Sequence, residues 1–289
     1  MTPPSAEPYD PAWLDVQYNN RARIPEHPQI FERWAADSAR VRQQASRRLD
    51  VRYGDGPNET LDIFPTTAHQ APVLVFIHGG WWRALDKSDF SFVAPAFTRG
   101  GALVMVPNYA LCPAVSIEQI SLQMVKALAW VWRHAALYGG DPDRIVLVGH
   151  SAGGHLAAML LSCVWKAWAS DLPADLVRTA LAISGVFDLE PVQQTPFLQA
   201  DLRLGKEAVP RLSPAWFPAP QARRLLACAG ALESEEFLRQ NLAIREAWGA
   251  QVVPVCETVP GRNHLDVVDA LVTPGQRLHA LAWELVDKA

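Results

Sequence analysis

The chain is poor in cysteine, with four in 289 residues, and the four are far apart (Cys112, Cys163, Cys228, Cys256). No CxxC pair or Cys/His cluster is present, so neither a structural zinc nor a disulfide framework is expected; the thiols read as small buried hydrophobes in a reduced protein. Positive charge is not in excess either. A net charge of -4 leaves no basic footprint for nucleic acid, and no polybasic run suggests an anionic membrane. No apolar stretch approaches the length of a membrane span. Met1–Pro8 lacks the positive start and apolar core of a signal peptide, so a cytoplasmic protein is expected. Internal repeats and linkers are absent too, and 289 residues suit one α/β domain.

What is present is an alternation of short apolar runs with amphipathic stretches. Leu49–Tyr53 and Thr60–Phe64 alternate about the turn Gly54-Asp55-Gly56-Pro57 and predict a hairpin. Val73–Ile77, Ala102–Val106 and Arg144–Val148 are continuous apolar runs, the pattern of strands buried on both faces. Thr179–Ile183, Arg224–Cys228 and Gln251–Val255 complete the predicted strands. Helical spacing is expected over His27–Leu49, Ser116–Tyr138, Ala152–Trp165, Glu235–Trp248 and Pro274–Val286. The fold class that follows is α/β, a mostly parallel sheet with helices on both faces. Residues 1–26 show no sustained period and read as an ordered arm or loop, so that 1–48 form an arm and a helix. Residues 186–223, rich in proline, read as a small irregular cap.

Gly149-His150-Ser151-Ala152-Gly153 fits G-x-S-x-G. It follows a buried strand and opens a small-residue helix, the setting of a nucleophile elbow. Side chains at 149 and 153 would collide with neighbouring chain there, and the helix N-terminus favours developing negative charge beside Ser151. Acyl transfer also needs donors for an oxyanion. His78-Gly79-Gly80-Trp81-Trp82 lies at the end of the Val73–Ile77 strand, so the N–H groups of the Gly79–Trp81 loop, with that of Ala152, are the candidates. His78, ahead of the glycines, reads as a brace of that loop rather than a base.

The base is expected late in the chain, in the order Ser, acid, His. His264 stands alone on a loop after the final predicted strand. The other candidates precede Ser151 or fall within helices. For the acid, Glu233, Glu235 and Glu236 compete after the Arg224–Cys228 strand, with Asp188 and Asp266 as weaker alternatives. Glu233 is nearest the strand end, while Glu235 and Glu236 sit in a first helical turn, where carboxylates favour the dipole for structural reasons. Trp81, Trp82, Tyr109 and Phe187 are the expected pocket aromatics, with Trp216 and Phe217 either in the pocket or packing the cap. Arg21, Arg23, Arg83 and Arg262 are the choices for binding a substrate carboxylate.

Taken together, the His78–Trp82 loop, Asn108–Pro113, Gly149–Leu156, Ser184–Leu189 and the Asn263-His264 loop resemble the hormone-sensitive-lipase-like branch of the α/β hydrolases. Within it they look most like the kynurenine formamidase (arylformamidase) and esterase group, over a span from about residue 50 to the C-terminus. The resemblance implies a serine hydrolase with a Ser151–His264–Glu233 triad and no metal or organic cofactor. The implied substrate is N-formyl-L-kynurenine. The family commonly has aspartate at the position of Glu233. A short-chain carboxylesterase is the alternative. A catalytically silent ligand-binding relative would be expected to lack a member of the triad set, and here every member is present. A small-molecule substrate is the expected partner, with a homodimer left open.

Overall fold

The computed structural model describes residues 9–43 and 46–289; Met1–Pro8, read above for the absence of a leader, lie outside the described residues. Eight strands form one sheet in the order β1-β2-β4-β3-β5-β6-β7-β8. They are β1 (Arg48–Arg52), β2 (Thr60–Phe64), β3 (Ala71–Ile77), β4 (Leu103–Pro107), β5 (Gly140–His150), β6 (Thr179–Ile183), β7 (Arg224–Gly230) and β8 (Val255–Val259). The hairpin β1–β2 and its junction with β4 are antiparallel. Every other neighbouring pair is parallel. This is the α/β-hydrolase architecture expected from the sequence.

The central strands are apolar throughout because helices cover both of their faces. One core cluster gathers Val73, Val75, Ile77, Leu103 and Leu147 with the helices Ile117–His134 and Ala152–Leu161. The other gathers Leu74, Phe76, Val104, Val146 and Leu226 with the helix Arg277–Lys288 and the helix His27–Arg42. Ser116 starts the Ile117–His134 helix with a capping box shared with Gln119. Among the described residues no helix is long and apolar enough to cross a membrane.

Two expectations, the bounds of the last strand and the irregularity of 186–223, are corrected. The described part of the arm, residues 9–26, is ordered and holds α1 (Pro11–Tyr18) and α2 (Asn20–Arg23), followed by α3 (His27–Arg42). Asp10 caps α1 by accepting from the Ala12 N–H, with Pro11 in the first turn, and Asn19 caps α2 by accepting from the Ala22 N–H. Those caps fix helices too short to show a period. The last strand lies four residues later than Gln251–Val255. The preceding helix bends at Gly249, where φ is +74°, and runs on to Val252. Pro254 has no N–H for a ladder, and β8 begins after it. The 186–223 segment is not wholly irregular, since it contains the short helices Glu190–Gln193, Pro196–Leu202 and Val209–Leu212.

Candidate active site

Strands β5, β6 and β7 run parallel, so their C-terminal ends lie along one edge of the sheet, and the site is built on that edge. Ser151 follows β5 with φ 57° and ψ -118°, a conformation that costs about 1–3 kcal/mol in an L-residue. It is held there by its N–H bond to the Ile183 carbonyl (2.8 Å) and by the helix that starts at Ala152. A Cβ on Gly149 would overlap the Gly153 carbonyl, and one on Gly153 would overlap that of Ile77. The two flanking glycines are therefore required by close backbone approach.

His264 reaches Ser151 from the loop after β8. Its Nε2 lies 3.0 Å from Ser151 Oγ and its Nδ1 lies 2.6 Å from Glu233 Oε2. With the Nδ1 proton directed at the carboxylate, Nε2 is left to accept from the serine hydroxyl. All three residues are buried. The other carboxylate oxygen, Glu233 Oε1, accepts from Ser184 Oγ–H and from the Gly230 N–H, each at 2.5 Å. Both oxygens of this buried carboxylate thus have hydrogen-bond partners.

The competing acids are engaged elsewhere. Glu236 accepts from Tyr18 and Arg239, Asp188 pairs with Arg239, and Asp266 accepts from the Asn263 N–H. His150 donates its Nε2–H to the His264 carbonyl (2.8 Å) and so supports the loop. Burial pushes its pKa down to about 3.

A Cβ on Gly79 would sit 2.9 Å from Ser151 Cβ, so the loop lies directly against Ser151. Gly80 has φ +114°, and its carbonyl accepts from the N–H groups of Arg83 and Ala84. The N–H groups of Gly80, Trp81 and Ala152 donate to no backbone carbonyl among the described residues. His78 is buried, stacks on Tyr109 at 4.3 Å, bonds Asn108 through Nε2 (3.1 Å), and has its pKa lowered by burial. It braces the loop, as its position before the glycines suggests.

A cavity of about 360 Å³ opens above Ser151 and His264, and Gly80 and Trp81 form part of its wall. Trp82, Tyr109 and Phe187, expected to line it, do not. All three are fully buried behind the loop: Tyr109 donates to the His78 carbonyl, Trp82 packs edge-on to His155, and Phe187 lies against Gly185. Trp216 is partly exposed and, like Phe217, lies away from the cavity. Of the four arginines, Arg21 and Arg83 line the cavity. Arg83 is paired with Asp201 at 2.5 Å, whereas Arg21 lies over the Phe31 ring at 5.4 Å. Arg23 lines a second, smaller cavity, and Arg262 lines neither.

The sequence reading missed the contribution of the arm. Tyr18, Asn19, Asn20 and Arg21 form one wall of the cavity, with Phe31 and Trp34 of α3 beside them. Tyr18 is fully buried, meets Trp81 edge to face at 5.3 Å, and donates to Glu236 Oε1 at 2.6 Å. Ser184 was visible only as part of a motif. Its hydrogen bond to Glu233 comes from the alignment of β6 with β7, which local pattern does not reveal.

Comparison with known proteins agrees with this geometry. The BD-FAE family model matches residues 61–167. The kynurenine formamidase of Salmo salar is 29% identical over 86% of this chain and 85% of its own length. Esterase LipQ of Mycobacterium tuberculosis is 36% identical over 41% of this chain and 30% of its own length. A crystal structure described as a candidate thioesterase, from a Silicibacter species, is 31% identical with a TM-score of 0.81, over 93% of this chain and 98% of that one. The chain therefore belongs to the α/β-hydrolase family and is a hydrolase, and it is similar to kynurenine formamidases, BD-FAE proteins and esterases.

Proposed function

We propose that the chain cleaves a small ester or aryl formamide through an acyl-enzyme on Ser151, with an activity most like that of an N-formylkynurenine formamidase. The observation that carries this reading is the hydrogen-bond series from Ser151 through His264 to Glu233 at the floor of the cavity. His264 Nε2 takes the hydroxyl proton as Ser151 Oγ attacks the carbonyl carbon. The N–H groups of Gly80, Trp81 and Ala152 receive the charge that collects on the carbonyl oxygen. Glu233 fixes the tautomer of His264 and stabilises its imidazolium. The protonated Nε2 then gives its proton to the leaving group as the bond to the acyl carbon breaks. A water, deprotonated by the same nitrogen, releases the acid and restores Ser151.

The aromatic wall of Tyr18, Phe31 and Trp81 suits a flat aryl substrate. A carboxylate on that substrate would meet Arg21, because Arg83 is already paired with Asp201. The similarity to curated esterases favours a second reading, a short-chain carboxylesterase.

Ser151→Ala is expected to lower kcat by at least about 10³-fold, since triad members act as a unit. Near-normal turnover in that variant would remove Ser151 from the chemistry. The two readings separate when N-formylkynurenine is assayed beside 4-nitrophenyl acetate. A kcat/KM for the formamide no greater than for the acetate ester favours the esterase.

A further inference from the structure

A second cavity of about 200 Å³ lies against Glu233 and His264. The walls of the two cavities share only two residues, His264 and Asn20. Asn20 and His264 therefore lie together where the two cavities meet, Asn20 on the side of the arm. It is 8% exposed, and its carboxamide makes no hydrogen bond to any described residue. Its neighbour Asn19 has a structural use, capping α2 through Oδ1, whereas the amide of Asn20 has none. Its polar atoms keep some contact with solvent, so a carboxamide without a protein partner is open to a ligand's hydrogen bond. Here the free space beside it is the active cavity.

We propose that Asn20 is a specificity-determining contact, accepting a hydrogen bond from the N–H of a scissile amide and so favouring aryl formamides over the corresponding esters. This rests on the Ser151 hydrolase reading given above. In that reaction the carbon–nitrogen bond breaks with its electron pair left on nitrogen, and that pair takes the proton from His264 Nε2. The leaving nitrogen must therefore stand beside His264. It keeps its original N–H throughout, and that N–H needs an acceptor once water is displaced. Asn20 Oδ1 is the uncommitted acceptor where His264 and the arm meet at the cavity. An ester oxygen has no hydrogen to offer, so it would leave the carboxamide unpaired, and a site built to hydrogen-bond a group discriminates against the analogue lacking it.

The test uses three substrates: 4-nitroformanilide, 4-nitrophenyl formate, and N-methyl-4-nitroformanilide, which has no N–H. They are given to the full-length wild type, to Asn20→Leu, which keeps the branched shape without polar atoms, and to Asn20→Ala. The expected result is a fall in kcat/KM of about tenfold on 4-nitroformanilide, with the formate ester within about twofold and the N-methyl anilide equally unaffected. Retained ester turnover also shows that the variant is folded. Equal losses on anilide and ester in both variants would make Asn20 structural and overturn the proposal. So would an unchanged anilide rate, or a wild type that cleaves the ester and never the anilide. Those outcomes leave the Ser151 reading standing; only an active Ser151→Ala variant removes that.

Discussion

The strand-end loops and the N-terminal arm meet at the same cavity but are held by different means. Around Ser151 the backbone itself is committed: the serine is in a strained conformation, the flanking glycines touch neighbouring carbonyls, and both oxygens of Glu233 have donors. The arm is held by side chains. Tyr18 and Gln240 converge on Glu236, Asp15 accepts from the Phe197 N–H, and Trp81 meets the Tyr18 ring. The first region fixes where a bond can be broken. The second, resting on side-chain contacts, supplies one wall of the cavity.

Three changes would break or sharpen that contrast. The largest effect is expected at the strand ends. Glu233→Gln keeps the volume but no longer holds Nδ1–H on His264, and kcat should fall by about 10³-fold or more. A loss under tenfold, measured with any substrate the wild type turns over, would show that another acid orients the imidazole.

The second change is in pH and reaches the scaffold beneath the loops. His150 and His155 are fully buried and have pKa values pushed down to about 3 and about 4 by burial. Both stay neutral in the folded chain while the unfolded chain takes up protons below about pH 6.5. The unfolded state then binds more protons, so stability falls as pH drops from about 6.5 towards 4. By pH 5 the loss is expected to be about 2 kcal/mol for each histidine. Chemical denaturation at pH 7 and 5 measures it, and His155→Gln should flatten the slope. An unchanged midpoint between those pH values would mean that the histidines titrate normally in the fold.

The smallest effect belongs to the arm. Tyr18→Phe removes the hydroxyl that donates to Glu236 while retaining the ring against Trp81. Stability should fall by about 1 kcal/mol and KM should rise a few-fold with kcat nearly constant. A fall in kcat as large as that of Glu233→Gln would erase the division between the two regions.

Much of the strand-end region was legible because its chemistry imposes local signatures. A serine on a sharp turn needs small neighbours, and a loop of free N–H groups at a strand end needs glycine, so Gly149, Gly153 and Gly80 mark the place. His264 could be singled out because a loop histidine after the last strand has few structural uses. Glu233 was separated from Glu235 and Glu236 by its position ahead of the helix, and the geometry places it at His264. The pocket aromatics were read poorly. Trp82 was expected in the pocket beside Trp81 because both adjoin the Gly79–Gly80 loop, but the turn at Gly80 sends Trp81 into the cavity and Trp82 into the core, and Tyr109 and Phe187 are buried as well. Arg21 was one of four arginines the sequence could not choose between and Tyr18 gave no signal, because two short helices show no period and the wall they form depends on where the arm docks.

The sequence alone determined the order of strands and helices, the elbow at Ser151 and the loop at Gly79–Gly80, since each is set by residues within a few positions of one another. Only the tertiary structure decided which acid meets His264, that Ser184 steadies it, and that the arm supplies a wall of the cavity that includes Asn20. Those contacts join residues dozens to hundreds of positions apart. Such pairs are brought together by the sheet order and the docking of α1 and α2, and no local pattern of side chains encodes them.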